Sequence, residues 1–364
     1  MLHSLFAKGP QLSEGVSRAF ATAAVLGYLA LFAAGSAVLP EFIFRDADKI
    51  QAQIGGSNSY EGSTFDTVGK FYGALGDVGT KVFVGSIGAV FVWMMLRMTR
   101  RVGALAICIV LLGVCVFFNL FVASKDTLVV LISIVIARTA HRFSWHQATI
   151  TAIVLYGAYA AIVRSYYALI LAIAIVAFVF RLGGARMKLL LLIAIPVAVF
   201  LLPDTVYYAL GSPRDAAVDY LIYGSPFGAR TAFYNPFPPD SFVNFSANYL
   251  YSLARLNMPI VFEAGVKEFG LQAFIWTALW AALHARSRAE RRALQRYDML
   301  ACLLIGHAAV SMLFEPDLGS YPRHLSSVAL FSATLLAVQT AYAERVAMRG
   351  KNVRDTPAPQ AAIH

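Results

Sequence analysis

Residues 102–137 read VGALAICIVLLGVCVFFNLFVASKDTLVVLISIVIA, and the only charges among them are Lys125 and Asp126. A bilayer core about 30 Å thick needs about 20 apolar residues per helix. Residues 102–124 meet that length, while Thr127–Ala137 extend only about 17 Å at about 1.5 Å per residue. The stretch therefore predicts two membrane helices joined through Ser124-Lys125-Asp126. Unless the second helix continues past Arg138 into His141-Arg142, Lys125 and Asp126 sit within the membrane. Charges at such depth neutralise each other or face a partner or a wet cavity, and both readings stay open here.

The rest of the chain extends the pattern. Of 364 residues 59% are hydrophobic and 14% charged, where soluble domains carry about 25% charge. Runs long enough to approach a span lie near 19–39, 82–98, 102–124, 127–138, 147–163, 165–180, 187–203, 265–284, 298–314 and 324–342. The expected fold is all-α: a polytopic integral membrane protein with about ten transmembrane helices. The first run ends near Ala33-Ala34-Gly35-Ser36-Ala37, which resembles a signal-peptidase site, but it exceeds a signal peptide's apolar stretch. An uncleaved anchor is expected.

The net charge of +10 invites a nucleic-acid partner until the charges are sorted by alternate loops. One side, with both chain ends, holds 19 basic and 5 acidic residues, and the other holds 11 and 15. The basic excess thus orients the protein, placing both termini in the cytoplasm, and no nucleic-acid partner is expected. Residues 1–345 form one transmembrane domain with two long outer segments, 40–81 and 204–264, the larger between spans 7 and 8. Residues 346–364, charged and then rich in Pro and Ala, form a disordered cytoplasmic tail. Cys108, Cys115 and Cys302 lie in apolar runs and read as small core residues.

Candidate functional residues are polar groups on the outer side. Arg164 is the only charge between Arg142 and Arg181 and precedes Ser165-Tyr166-Tyr167. It either snorkels to headgroups or lines a cavity, and the second reading is favoured. Segment 204–264 mixes Arg214, Asp215, Asp219, Arg230, Asp240 and Arg255 with many aromatic rings, around the turn Tyr234-Asn235-Pro236-Phe237-Pro238-Pro239-Asp240. Rings beside Asn and Asp suit sugars, although an interfacial aromatic belt accounts for many of them. The last hairpin, Phe314-Glu315-Pro316-Asp317 through Pro322-Arg323-His324, gathers two carboxylates, a cation and an imidazole within ten residues. An Arg can grip phosphate oxygens, and His titrates near neutrality and can accept a proton. A polar turn with Arg323 at the headgroups is the plainer alternative. No Gly-rich phosphate loop or metal-ligand spacing occurs, so no cofactor or metal is expected.

In architecture and short motifs the chain resembles the Wzy-type polysaccharide polymerases of the EpsG-like kind, proteins of the bacterial inner membrane. The motifs are Phe42-Ile43-Phe44-Arg45-Asp46-Ala47-Asp48-Lys49-Ile50, Phe65-Asp66-Thr67-Val68 leading to Phe71-Tyr72-Gly73-Ala74-Leu75-Gly76, Ser124-Lys125-Asp126, Arg164-Ser165-Tyr166-Tyr167 and Pro322-Arg323-His324. The resemblance implies that undecaprenyl-pyrophosphate-linked repeat units, as donor and acceptor, are joined at the periplasmic face. It also implies the bilayer, and a chain-length regulator protein, as partners. The catalytic candidates are then His324 as base, with Asp317 and Glu315 as alternatives, and Arg323 on the departing diphosphate. The substrate-binding candidates are Arg164, Arg230, Lys125, Tyr166, Tyr234 and Asp46. A C-type polyprenyl-phosphate-sugar transferase relying on Asp46 or Asp48 and an O-antigen ligase are the nearest rivals. A lipid-linked oligosaccharide flippase is the rival of another class; it would be expected to show repeated halves, and none are apparent.

Overall fold

The computed structural model describes residues 2–39, 43–56, 61–224, 230–284 and 287–354, and its regular elements are all helical. A short α1 (Leu2–Phe6) precedes α2 (Glu14–Ala34), which Ser13 caps through the Val16 amide. Phe6 is buried, the Lys8 carbonyl accepts the Gly103 amide at 3.0 Å, and the Leu12 amide donates to Arg100 at 2.9 Å. The segment ahead of α2 is thus strapped across the ends of the following helices.

Next come α3 (Arg45–Ile54) and α4 (Thr64–Arg97), the latter capped by Ser63 and kinked at Gly76, whose φ is 66°. That left-handed conformation suits glycine, and the Thr80 hydroxyl bonds the Tyr72 carbonyl at 3.1 Å across the kink. Helix α5 (Val102–Cys115) runs into a single π turn, Val116–Leu120. After four irregular residues α6 (Lys125–Arg142) begins at a capping box made by Ser124 and Thr127. A second capping box, Ser144 with Gln147, starts α7 (Trp145–Ile162), followed by α8 (Tyr167–Leu182) and α9 (Ala185–Phe200). A bend of 89° then leads into α10 (Asp204–Tyr223). The remainder is α11 (Phe242–Asn257), α12 (Pro259–Phe262), α13 (Val266–Leu283), α14 (Arg288–Leu294), α15 (Asp298–Phe314), α16 (Ser320–Ser326) and α17 (Ala329–Arg354).

Burial orders these helices. The apolar window of the α15 span is 72% buried, against 17% for α2, so α15 is the central strut and α2 lies outside. Gly306 lets α15 approach α8, since a Cβ there would fall 2.5 Å from the Ile170 carbonyl oxygen. Small residues permit such close crossings between apolar helices. Helix α9 has no buried residue, and its Leu189, Leu192, Ile193 and Phe200 are exposed. A soluble protein does not present such a surface, whereas a bilayer accepts it.

Among the described residues, four helices are long and apolar enough to cross a membrane, or up to six if each bent pair is one span. The chain is therefore an all-helical membrane protein. Most of each of the ten apolar runs is helical, but not all are spans by length and composition. Four charged residues in α6 and the 16-residue length of α8 hold those two short. Other expectations change too. Helix α6 does continue past Arg138, to Arg142, so Lys125 and Asp126 begin a full-length helix. The segments 40–81 and 204–264 are not loops: α3, the first part of α4, α10, α11 and α12 occupy most of them. Ser63 and Ser241 supply the N-caps that a reading of charge and aromatics overlooked. Helix α17 runs to Arg354, past the boundary at Arg345 where disorder was expected, and residues 355–364 lie outside the described residues.

Candidate functional site

The irregular backbone between the π turn and α6 is fixed by one hydroxyl. Thr127 Oγ1 bonds the carbonyls of Asn119 at 2.7 Å and Val122 at 3.0 Å, besides its part in the capping box. The first turn of α6 thereby points inward, leaving Lys125 6% and Asp126 1% exposed. Adjacent residues on a helix diverge by about 100°, and these two serve different neighbours. Lys125 Nζ donates to Thr64 Oγ1 at 3.2 Å and lies 3.4 Å from the centroid of the Phe65 ring, a cation–π contact.

Asp126 is the hub. Its Oδ1 receives Arg164 Nη1 at 3.2 Å, its Oδ2 lies 3.4 Å from Arg323 Nε, and His324 Nε2 lies 3.7 Å from Oδ1. The positive end of the α6 dipole further favours a carboxylate in this first turn. Oδ2 is buried and accepts no hydrogen bond, although it faces Arg323.

Arg164 sits in the break between α7 and α8, where its amide continues the turn by bonding the Tyr159 carbonyl. Besides Asp126, Nη1 approaches the Tyr166 hydroxyl at 2.8 Å and His324 Nε2 at 3.2 Å. This nitrogen has two hydrogens for three acceptors, so its bonds are shared and can be redirected. The Tyr159 hydroxyl bonds the Lys125 carbonyl at 3.1 Å, and Tyr72 bonds the Ser124 carbonyl at 3.0 Å, pinning the start of α6 from two sides.

The third wall is the break between α15 and α16. His324 Nδ1 is bonded to Glu315 Oε1. In the neutral imidazole, Arg164, whose guanidinium only donates, meets the lone pair at Nε2, and the proton stays on Nδ1 towards Glu315. Burial alone would raise the Glu315 carboxyl. His324, through its charge when protonated and through its hydrogen bond, outweighs it together with Ser320 and Arg164, and holds the group below the usual carboxylate range. Asn119, in the π turn, donates to the Arg323 carbonyl and to Ser326 Oγ, both at 3.0 Å, docking α16 onto α5. The arrangement can accept a proton at Nε2, after which the Nε2–H faces Asp126, and its guanidiniums can grip an anion.

Of the residues singled out from the sequence, Lys125, Arg164, Tyr166, Arg323 and His324 come together here. Three others do not. Arg230 is 93% exposed at the side chain and pairs with Glu263 at 3.8 Å. Tyr234 donates to Asp219 at 2.9 Å, which pushes its phenol up to about 12. Asp317 Oδ1 accepts the amides of Gly319 at 2.9 Å and Ser320 at 2.6 Å, shaping the turn before α16. The Asp46 side chain lies outside the described residues. Asn119 and Tyr159 were missed, Tyr72 stood only within the Phe71-to-Gly76 motif, and Asp126 and Glu315 prove more central than the sequence pattern suggested. Among the described residues no group of three or more His, Cys, Asp or Glu could hold a metal ion.

Beside the site, α11, α13 and α15 enclose an open groove of about 850 Å³, lined by Leu250, Leu253, Trp276, Trp280, Ile305 and Met312. Asn257, at its edge, accepts the Tyr321 hydroxyl of α16 at 3.0 Å. No protein-family model, characterised protein or solved structure matches the chain.

Proposed function

We propose that this protein is a membrane glycosyltransferase that polymerises lipid-diphosphate-linked oligosaccharide repeat units, without a metal, at the outer face of a bacterial inner membrane. The reading includes the ten-span plan with both termini in the cytoplasm, in which α6, α7, α8 and α13 also cross. One observation carries it: an imidazole held at Nδ1 by Glu315 presents Nε2 beside two guanidiniums, Arg164 and Arg323.

In this mechanism Arg164, Arg323 and Lys125 take the donor's diphosphate, drawing Arg164 Nη1 away from His324. The acceptor hydroxyl loses its proton to Nε2 as its oxygen bonds the donor's anomeric carbon. The bond from that carbon to the diphosphate oxygen breaks, and the diphosphate departs with the electron pair. Asp126 then faces the imidazolium. Proton transfer by a positioned group contributes about 10²–10⁴-fold, and fixed charges aimed at the leaving group are often the largest single contribution. The apolar groove offers the carrier's polyprenyl chain a place beside the site.

Deleting the gene tests the reading: surface glycan should collapse to single repeat units while lipid-linked units accumulate. Long chains persisting undiminished would end it. A one-sugar transferase reading is separated by Asp46 and Asp48 substitutions, which should abolish that activity but only weaken polymerisation.

A further inference from the structure

Arg214 takes no part in the chemistry above, yet its side chain is 1% exposed and it heads the largest fully buried residues. It lies in α10 and reaches the end of α15. Its Nη1 donates to Asn235 Oδ1 at 3.1 Å and to Ser252 Oγ, and its Nη2 donates to the Met312 carbonyl. The guanidinium stands 5.1 Å from the Phe233 ring centroid. Asp215 in turn holds Asn235, accepting its amide at 2.8 Å and Nδ2 at 3.1 Å.

The Met312 carbonyl would ordinarily receive the amide four residues on. That residue is Pro316, which has no N–H. Arg214 supplies the missing donor, and its charge meets the negative end of the α15 dipole. The Pro316 carbonyl is held as well, by the Phe233 amide at 3.1 Å. Both ends of the turn Met312–Pro316 are thus tied to one unit, and Glu315 stands within that turn, bonded to His324.

We infer that Arg214 is a positioning residue: it replaces the amide that Pro316 lacks and so fixes the turn that aims Glu315 at His324. The inference rests on the reading of His324 as proton acceptor, but its test does not use polymerisation.

The probe is the imidazole Nδ1–H proton of His324, observed by NMR in the full chain in nanodiscs. Held by Glu315 away from water, it gives a slowly exchanging downfield signal, assigned by its disappearance in His324→Gln. Arg214→Met should fold and lose the signal. Arg214→Lys, which keeps a donor, should retain it. Arg255→Met, which removes the other cation on Phe233, should leave it intact. A folded Arg214→Met with the signal intact, or a signal lost equally in Arg214→Lys, overturns the inference. Should Arg214→Met fail to fold, Asn235→Ala and Ser252→Ala take its place, and an unchanged signal in both overturns it equally. If polymer assays fail while the signal behaves as stated, the polymerase reading falls and the positioning role stands.

Discussion

Asp126→Asn removes the hub's charge while keeping its size and one acceptor oxygen. In the wild type, Asp126 Oδ1 is 3.2 Å from Arg164 Nη1 and Oδ2 is 3.4 Å from Arg323 Nε. At an effective dielectric of about 20, each contact represents about 5 kcal/mol of Coulomb attraction. Desolvating the carboxylate and the guanidiniums offsets much of that. What the substitution exposes is different: Arg164, 8% exposed, is left as a buried cation without its carboxylate. Breaking one side of a buried pair costs about 3–5 kcal/mol, a factor on the order of 10³ in the folding constant at about 1.4 kcal/mol per decade. The measurement is reversible unfolding of purified protein in detergent, with Arg230→Ala as reference. That residue's exposed pair at 3.8 Å should contribute under about 1 kcal/mol. If Asp126→Asn destabilises by no more than Arg230→Ala, the carboxylate is not organising the cations and the site has been misread.

Other outcomes follow from the same geometry. Arg164→Ala and Arg323→Ala, made at normal level, should abolish polymer in cells, while Arg230→Ala should leave glycan length unchanged; full polymer in either of the first two removes the site. Glu315, held below the usual carboxylate range, contributes stability above its unfolded pKa of about 4.3 and loses it as pH falls through its lower folded value. The stability gap between wild type and Glu315→Gln should therefore hold down to about pH 4.3 and shrink as pH falls further; a gap that persists undiminished in stronger acid contradicts the assignment. Gly306→Ala should cost about 1–3 kcal/mol through overpacking, because its Cβ meets the Ile170 carbonyl; a neutral result would mean α8 and α15 shift freely.

The membrane class and the helices were legible because an apolar run has few other uses, and most of each of the ten runs is helical. Lys125, Arg164, Arg323 and His324 were legible because charges are scarce in such a sequence, so each looked out of place. Their common focus was not. Nothing in the order of residues says that Asp126 and Arg323, 197 positions apart by their numbers, share a pocket. Asn119 stood in an apolar run with no spacing to mark it, since its role depends on the π turn and on α16 arriving beside it. Tyr72 and Tyr159 resemble any ring of an interfacial belt until the carbonyls they bond are seen. The exposed Arg230 misled for the converse reason: a proline turn beside it suggested a rigid site, whereas the rigid partner of that turn is Arg214, through Asn235.

Those carbonyls share a physical logic. Each part of the site lies where a helix stops or changes pitch: the π turn, the start of α6, the break before α8, the break before α16. In a hydrocarbon setting such breaks are tolerated only where the freed backbone groups find partners within the protein. Here side chains supply them: Tyr28 to the Leu120 carbonyl, Tyr72 to Ser124, Tyr159 to Lys125, Asn119 to Arg323 and Arg214 to Met312. The same breaks allow consecutive residues to point in unrelated directions, so that Lys125 meets α4 while Asp126 meets α16. An unbroken bundle could bury one charged pair per crossing. A bundle broken at one level, with its carbonyls bonded by side chains, can gather several charges there.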